Sequence, residues 1–194
     1  MLRTLTALTA IFLTTTPATA ETFRWASGTD PQTMDPHAVS SAPVLGFLNN
    51  VYEGLVRRGK DMAIEPALAE SWEPLGTDGW RFNLRRGVTF HNGATFDAED
   101  VLFSYERASS EASDVASWFA PVSNVTVVDQ YTVDFMTTAP NPIFPDSIAN
   151  FMIMDADWSA TNGAELPAKD TENFATLNTN GTGAFQLTER QPGL

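Results

Sequence analysis

The clearest periodicity in the chain lies at Trp80, Phe82 and Leu84, which alternate with Arg81, Asn83 and Arg85. A period of two is that of a half-buried strand. Gly87 and Asn92-Gly93 follow where tight reversals need positive φ. Asp97 then stands three residues before Asp100, just ahead of Val101, Leu102 and Tyr105. That spacing predicts an N-cap, an acidic N3 residue and the start of a helix. Ser71-Trp72-Glu73 is expected to pair with Trp80–Leu84 around the turn Thr77-Asp78-Gly79. Val125 and Val127, then Tyr131, Val133 and Phe135, alternate on either side of Asp129-Gln130 and predict a second hairpin.

A different period runs from Ser41. Val44, Phe47, Leu48, Val51, Tyr52 and Leu55 fall at helical spacing, which predicts one amphipathic helix with Ser41 as cap, Pro43 in its first turn and Gly59 past its end. Shorter expectations are a strand at 22–26 with Phe23 and Trp25 on one face, and a helical piece around 66–69. Ser109 to Val115 reads as loop. A short helix near 146–150, an apolar strand-length run at 151–154 and a strand at 185–187 complete the reading. The elements add up to a mixed α/β globule.

Met1-Leu2-Arg3 is a short basic start, residues 5–13 are apolar, and Ala18-Thr19-Ala20 is an A-x-A site before Glu21. Residues 1–20 are therefore read as a cleavable signal peptide. The chain has no cysteine, which excludes a disulfide framework and a lipid-modified cysteine anchor. The expectation is a protein free in the periplasm. A net charge of −13 argues against nucleic acid and anionic lipid as partners.

The catalytic motifs searched for are missing: no G-x-S-x-G, H-E-x-x-H, phosphate loop or cysteine nucleophile. His37 and His91 are the only histidines and stand apart, so no metal site or cofactor is expected. Capping accounts for Asp97 and Asp100. Asp155 and Asp157 could suggest calcium, but the residues after them supply no oxygen-rich loop. Ser27-Gly28-Thr29, directly after the first expected strand, is from its residues either a plain connector or a place where a ligand backbone approaches.

The order of residues resembles the extracytoplasmic solute-binding proteins of family 5, the peptide/nickel-type binding components of ABC importers. The likeness begins at Tyr52-Glu53-Gly54-Leu55-Val56 and continues through Pro66-Ala67-Leu68-Ala69-Glu70-Ser71-Trp72. Asp78-Gly79, Phe82, Leu84-Arg85, Gly87-Val88, Phe90-His91, Gly93 and Ala98-Glu99-Asp100-Val101 extend it. Asn178 to Leu187 resembles the family's glycine-rich turn into a strand, with Ala184 where proline is usual.

The resemblance implies a periplasmic binding protein-like type II fold, of which this chain would be only the N-terminal part. Residues 21–44 would open lobe I, 45–168 would be an inserted smaller lobe, and 169–194 would return into lobe I. It also implies a small-molecule or oligopeptide ligand, contacts from Ser27, Gly28 and Thr29, membrane permease subunits as partners, and a monomer when full length. A non-enzymatic binder is expected. The competing readings are a secreted hydrolase acting on glycan or peptide and an exported carbohydrate-binding or adhesion module.

Overall fold

A computed structural model describes Thr22, Arg24 and residues 26–193. The expected signal peptide, and Phe23 and Trp25 of the expected first strand, lie outside the described residues. Thr22, Arg24 and Ala26 are exposed and belong to no strand.

The elements in order are α1 (Ala42–Leu48), β1 (Val56–Arg58), β2 (Ile64–Pro66), β3 (Ala69–Leu75), β4 (Gly79–Leu84) and α2 (Ala98–Ser109). A turn of 3-10 helix (Ala116–Phe119), β5 (Val122–Asp129), β6 (Thr132–Thr137), α3 (Phe144–Ser147), α4 (Ala156–Thr161) and α5 (Phe174–Leu177) follow. β1 and β2 form a small hairpin, and the other four strands form an antiparallel sheet in the order β3-β4-β6-β5.

The period-two pattern is realised as expected. Trp80 pairs with Phe135 and Phe82 with Val133. Phe82 and Phe135 are wholly buried, edge-to-face at 5.6 Å, and Phe144 closes on both. Burying one such ring contributes roughly 1.5–3 kcal/mol. On the other face Arg81 lies opposite Asp134 and donates two bonds to its carboxylate, each 2.7 Å. Helix α2 covers the sheet, with Tyr105 edge-on to Phe119 and Phe135. Its start is the predicted capping box: the Asp97 carboxylate accepts from the first turn, and Asp100 Oδ2 accepts from the Asp97 N–H at 3.0 Å. Gly87 and Gly93 take φ of 73° and 90°.

Elsewhere tertiary contacts overrule the pattern. The helix expected over 41–55 stops at Leu48, and the Ser41 hydroxyl caps nothing. Asn50 Nδ2 donates to the carbonyls of Gly46 and Phe47, taking up acceptors at the helix end. Val51, Tyr52 and Leu55 are buried all the same, so the stripe reported burial and not helix. Gly54 is instead bridged antiparallel to Met152, so close to that run that an added Cβ would stand 2.8 Å from the Phe151 carbonyl oxygen. Gly59 lies in the β1–β2 turn. The helical piece expected at 66–69 is instead the bend Ala67-Leu68 between the end of β2, paired with β1, and the start of β3, paired with β4. Local preference yields there to sheet pairing.

The run at 151–154 is extended but joined only by a bridge between Gly54 and Met152. Its side chains divide alternately, Phe151 and Ile153 into the sheet core and Met152 and Met154 into a second core with Leu48, Val51 and Tyr52. Phe185–Leu187 is not a strand. Phe185 is 66% exposed, and its N–H donates to the Asn50 carbonyl. Helices α4 and α5, each a turn or two, carry no stripe and went unpredicted, although Asp155 and Asn173 cap them.

The second core encloses an ion pair. Arg107 and Asp35 have no exposed side-chain surface, and Arg107 donates to both Asp35 oxygens at 2.7 and 2.6 Å. Arg107 also bonds the carbonyls of Ala164 and Leu166, and its Nη1 lies 3.1 Å from His37 Nδ1. His37 Nε2 donates to the Met152 carbonyl at 2.9 Å. Donation at Nε2 leaves Nδ1 as an acceptor, which suits the guanidinium beside it. One cluster thereby ties the segment around residues 35–37 to α2, to residue 152 and to residues 164–166.

Burial pushes the Asp35 carboxyl up, but the bonds and charge of Arg107 outweigh that and hold it below its ordinary value. Burial and then the Arg107 charge lower His37 from 6.5 to about 4. Burial raises Asp100 from 3.8 to about 6, against the N–H bonds it accepts from Ala156 and Asp97.

Between pH 6.5 and 4 an unfolded His37 takes a proton that the native one refuses, so its contribution to stability falls as pH falls. Asp100 acts oppositely between 6 and 3.8, since its native carboxyl takes up the proton first. His37→Gln, which keeps an N–H for Met152, is expected to remove the first effect and leave the second. Urea unfolding between pH 7 and 4.5 should then show the variant losing about 2–3 kcal/mol less than the native protein as the pH falls. Arg107→Met strands a buried carboxylate and is expected to cost about 3–5 kcal/mol at pH 7 by the same measurement. Asp35→Leu combined with Arg107→Met should cost less than Arg107→Met alone, because no lone charge remains.

Candidate ligand-binding site

The concavity at the loop 27–29 has a volume of about 460 Å³. Ser27, Thr29, Asp30 and Pro31 form one side, and Pro43, Val44 and Phe47 of α1 form the other. The wall is therefore half backbone and hydroxyl, half apolar, a mixture suited to an organic solute.

The loop holds its shape through short-range and long-range bonds. The Thr29 N–H donates to Ser27 Oγ at 3.3 Å, an ST-turn. The Gly193 N–H donates to Asp30 Oδ2 at 3.0 Å. Arg190 donates to the carbonyls of Pro31 and Thr176, and the Met34 N–H donates to Thr176 as well.

Of the residues singled out from the sequence, Ser27 and Thr29 line the concavity. Gly28 sits between them, exposed, with nothing within 4 Å of where a Cβ would be. The Thr29 N–H is already used, which leaves the N–H groups of Ser27 and Gly28 without an internal partner among the described residues. His37 and His91 do not meet. His37 is in the ion-pair cluster, and His91 Nε2 bonds the Gly183 carbonyl at 2.8 Å. Among the described residues no three His, Cys, Asp or Glu side chains gather as metal ligands. Asp97 and Asp100 are engaged as a cap, and Asp155 caps α4.

Sequence reasoning passed over Asp35 and Arg107. One signal was available: Arg107 lies on the same helical face as Val101, Ser104 and Ala108, all buried, and a charge in a buried stripe demands a partner. Its partner is 72 residues away and no spacing rule reaches it.

Comparison with known proteins agrees with this architecture. Residues 63–194 match the family described as bacterial extracellular solute-binding proteins, family 5 middle. The probable D,D-dipeptide-binding periplasmic protein DdpA of Escherichia coli is 30% identical over 173 residues, 84% of this chain and 33% of that protein. Among solved structures, the PBP AgaA from A.tumefacien R10 in complex with agropinic acid superposes with a TM-score of 0.73 at 26% identity, over 84% of this chain and 32% of that one. A nickel ABC transporter structure from Bacillus halodurans gives 0.68 at 31% identity, over 85% and 32%. The first curated relatives are matched over 24% to 32% of their length, so this chain spans about a quarter to a third of them. The fold is mixed α/β, part of the periplasmic binding protein-like type II architecture. Matched over residues 63–194, more than half of its length, the chain belongs to the family 5 extracellular solute-binding proteins.

Proposed function

We propose that this chain is part of the periplasmic solute-binding component of an ABC importer. It contributes one side of a site that captures a peptide-like or other small solute between two lobes and hands it to the membrane permease. The observation that carries this reading is the concavity bounded by Ser27 and Thr29 on a fold of this family. The names of its relatives support it: OppA of Escherichia coli is a periplasmic oligopeptide-binding protein, and SapA of Salmonella typhimurium a peptide transport periplasmic protein. The basic, apolar and A-x-A pattern of residues 1–20 supports export. Among the described residues no helix is long and apolar enough to cross a membrane.

Ser27 and Gly28 supply main-chain N–H donors to carbonyl or carboxylate oxygens of the solute, and Thr29 shapes the loop through its bond to Ser27. Pro43, Val44 and Phe47 receive apolar parts of the solute. A main-chain donor reads the backbone common to all peptides and is indifferent to side chains, which favours a broad solute class. Capture shifts the equilibrium toward the closed lobes only by the extra affinity that the closed state offers. No bond is made or broken, and no catalytic step is proposed.

Gly28→Val tests the site without disturbing the fold, because the added side chain enters open space. Calorimetric titration of the full protein with an oligopeptide that co-purifies with it should show affinity weakened about tenfold or more, roughly 1.4 kcal/mol, at unchanged thermal stability. Equal affinity for the two proteins would remove residues 27–29 from the site. Turnover of that peptide into fragments would replace the binder by a hydrolase.

A further inference from the structure

Residues 178–185 cross back over the molecule in a groove that admits little more than a backbone. The Gly183 N–H donates to the Val51 carbonyl at 2.9 Å and the Phe185 N–H to the Asn50 carbonyl at 3.0 Å. On the other side the His91 N–H donates to the Gly181 carbonyl at 2.9 Å. A Cβ on Gly181 would fall 2.0 Å from the Val51 oxygen, and one on Gly183 would fall 2.6 Å from the Val51 carbonyl carbon. Backbone lies against backbone there, so both positions require glycine.

A buried carboxylate sits at the centre of this crossing. Asp155 and Asn180 are each 2% exposed. Asp155 Oδ1 accepts from the Trp158 N–H at 2.8 Å and caps α4. Its Oδ2 accepts from Asn92 Nδ2 at 2.9 Å and from Asn180 Nδ2 at 2.8 Å. Asn180 Oδ1 in turn accepts from the Asn92 N–H at 3.0 Å. Asp155 has no salt-bridge partner among the described residues.

A serine or asparagine would cap α4 without burying a charge, and burying one is costly unless it is well bonded. What the carboxylate adds is a second acceptor oxygen that holds two donors from two distant segments. We propose that Asp155 is the positioning residue of the return crossing: with Asn92 and Asn180 it ties residues 178–185 to the turn at 91–93, and so holds them where Gly183 and Phe185 reach the carbonyls of Val51 and Asn50. The N-terminal segment, the sheet and the return crossing then move as one body. The clasp stands on this geometry alone. Its use, keeping both connections of the sheet domain together while lobes close on a solute, rests on the function proposed above.

Hydrogen exchange of the full chain without solute tests the clasp separately from the binding reading. Asp155→Asn keeps the cap but turns an amide toward two amide donors. Exchange at the N–H groups of His91, Asn92, Gly183 and Phe185 is expected to quicken about tenfold, with the amides of β4 and β6 changed by less than about twofold. Asp155→Asn combined with Asn180→Asp restores a donor facing a carboxylate at one of the two contacts, leaving Asn92 Nδ2 against an amide, and should return those four amides about half of the way to their original rates. A merely structural loss would not be rescued by the swap. Unchanged exchange in Asp155→Asn, acceleration shared equally by the sheet, or a double variant as fast as the single one would each overturn the proposal. If Asp155→Asn does not fold, Asn92→Asp, which keeps the acceptor for the Ala94 N–H and sets a carboxylate against Asp155, is read by the same comparison of those amides with the sheet.

Discussion

The guanidinium of Arg107 inside the second core is the constraint to which the rest of the molecule accommodates. A cation with no exposed surface is tolerable only if its donors are met, and five acceptors meet them: two Asp35 oxygens, His37 Nδ1 and the carbonyls of Ala164 and Leu166. Those acceptors come from two stretches of chain, residues 35–37 and 164–166, that share no secondary structure. The N-terminal stretch, which ends in the candidate site, therefore has its place set by a residue of α2. The sheet holds α2, and α2 holds the loop.

Two cores divide the labour. The sheet core is aromatic, filled by Phe82, Phe135, Phe144, Phe119 and Phe151 in edge-to-face contact, and it resists deformation because each ring fixes its neighbours. The second core is aliphatic and methionine-rich, and it contains the polar clusters. The extended run 151–154 separates them and serves both, one face to each. The ring contacts lie away from the concavity at residues 27–31, whose own hold is the bonds from Arg190 to the Pro31 carbonyl and from the Gly193 N–H to Asp30. A loop anchored at its base and free at its tip can present N–H groups to a solute.

The sequence was most legible where interactions are local. The alternation at Trp80–Leu84 and Val125–Phe135, the capping box of α2 and the glycines of the two tight turns each depend on residues within a few positions, and all are present. It was least legible where a buried segment is irregular. Val51, Tyr52 and Leu55 sit at helical spacing by coincidence of burial, and the backbone at Gly54 is given instead to an antiparallel bridge with Met152. Likewise the strand-like run at 185–187 has its N-terminal amide drawn to Asn50 and not to a neighbouring strand. The candidate site was half legible: Ser27 and Thr29 do line the concavity, whereas Pro43, Val44, Phe47 and the residues that brace the loop were not foreseen.

By itself, the order of residues determined the antiparallel sheet, its covering helix and the family, because short-range periodicity and turn chemistry are written in neighbouring positions. Tertiary structure alone decided that Arg107 meets Asp35, that Asp155 gathers Asn92 and Asn180, and that α1 faces residues 27–31. The reason is physical. Buried charges and backbone crossings are satisfied by groups dozens of residues apart, and the free energy that selects those partners exists only once the chain has closed around them.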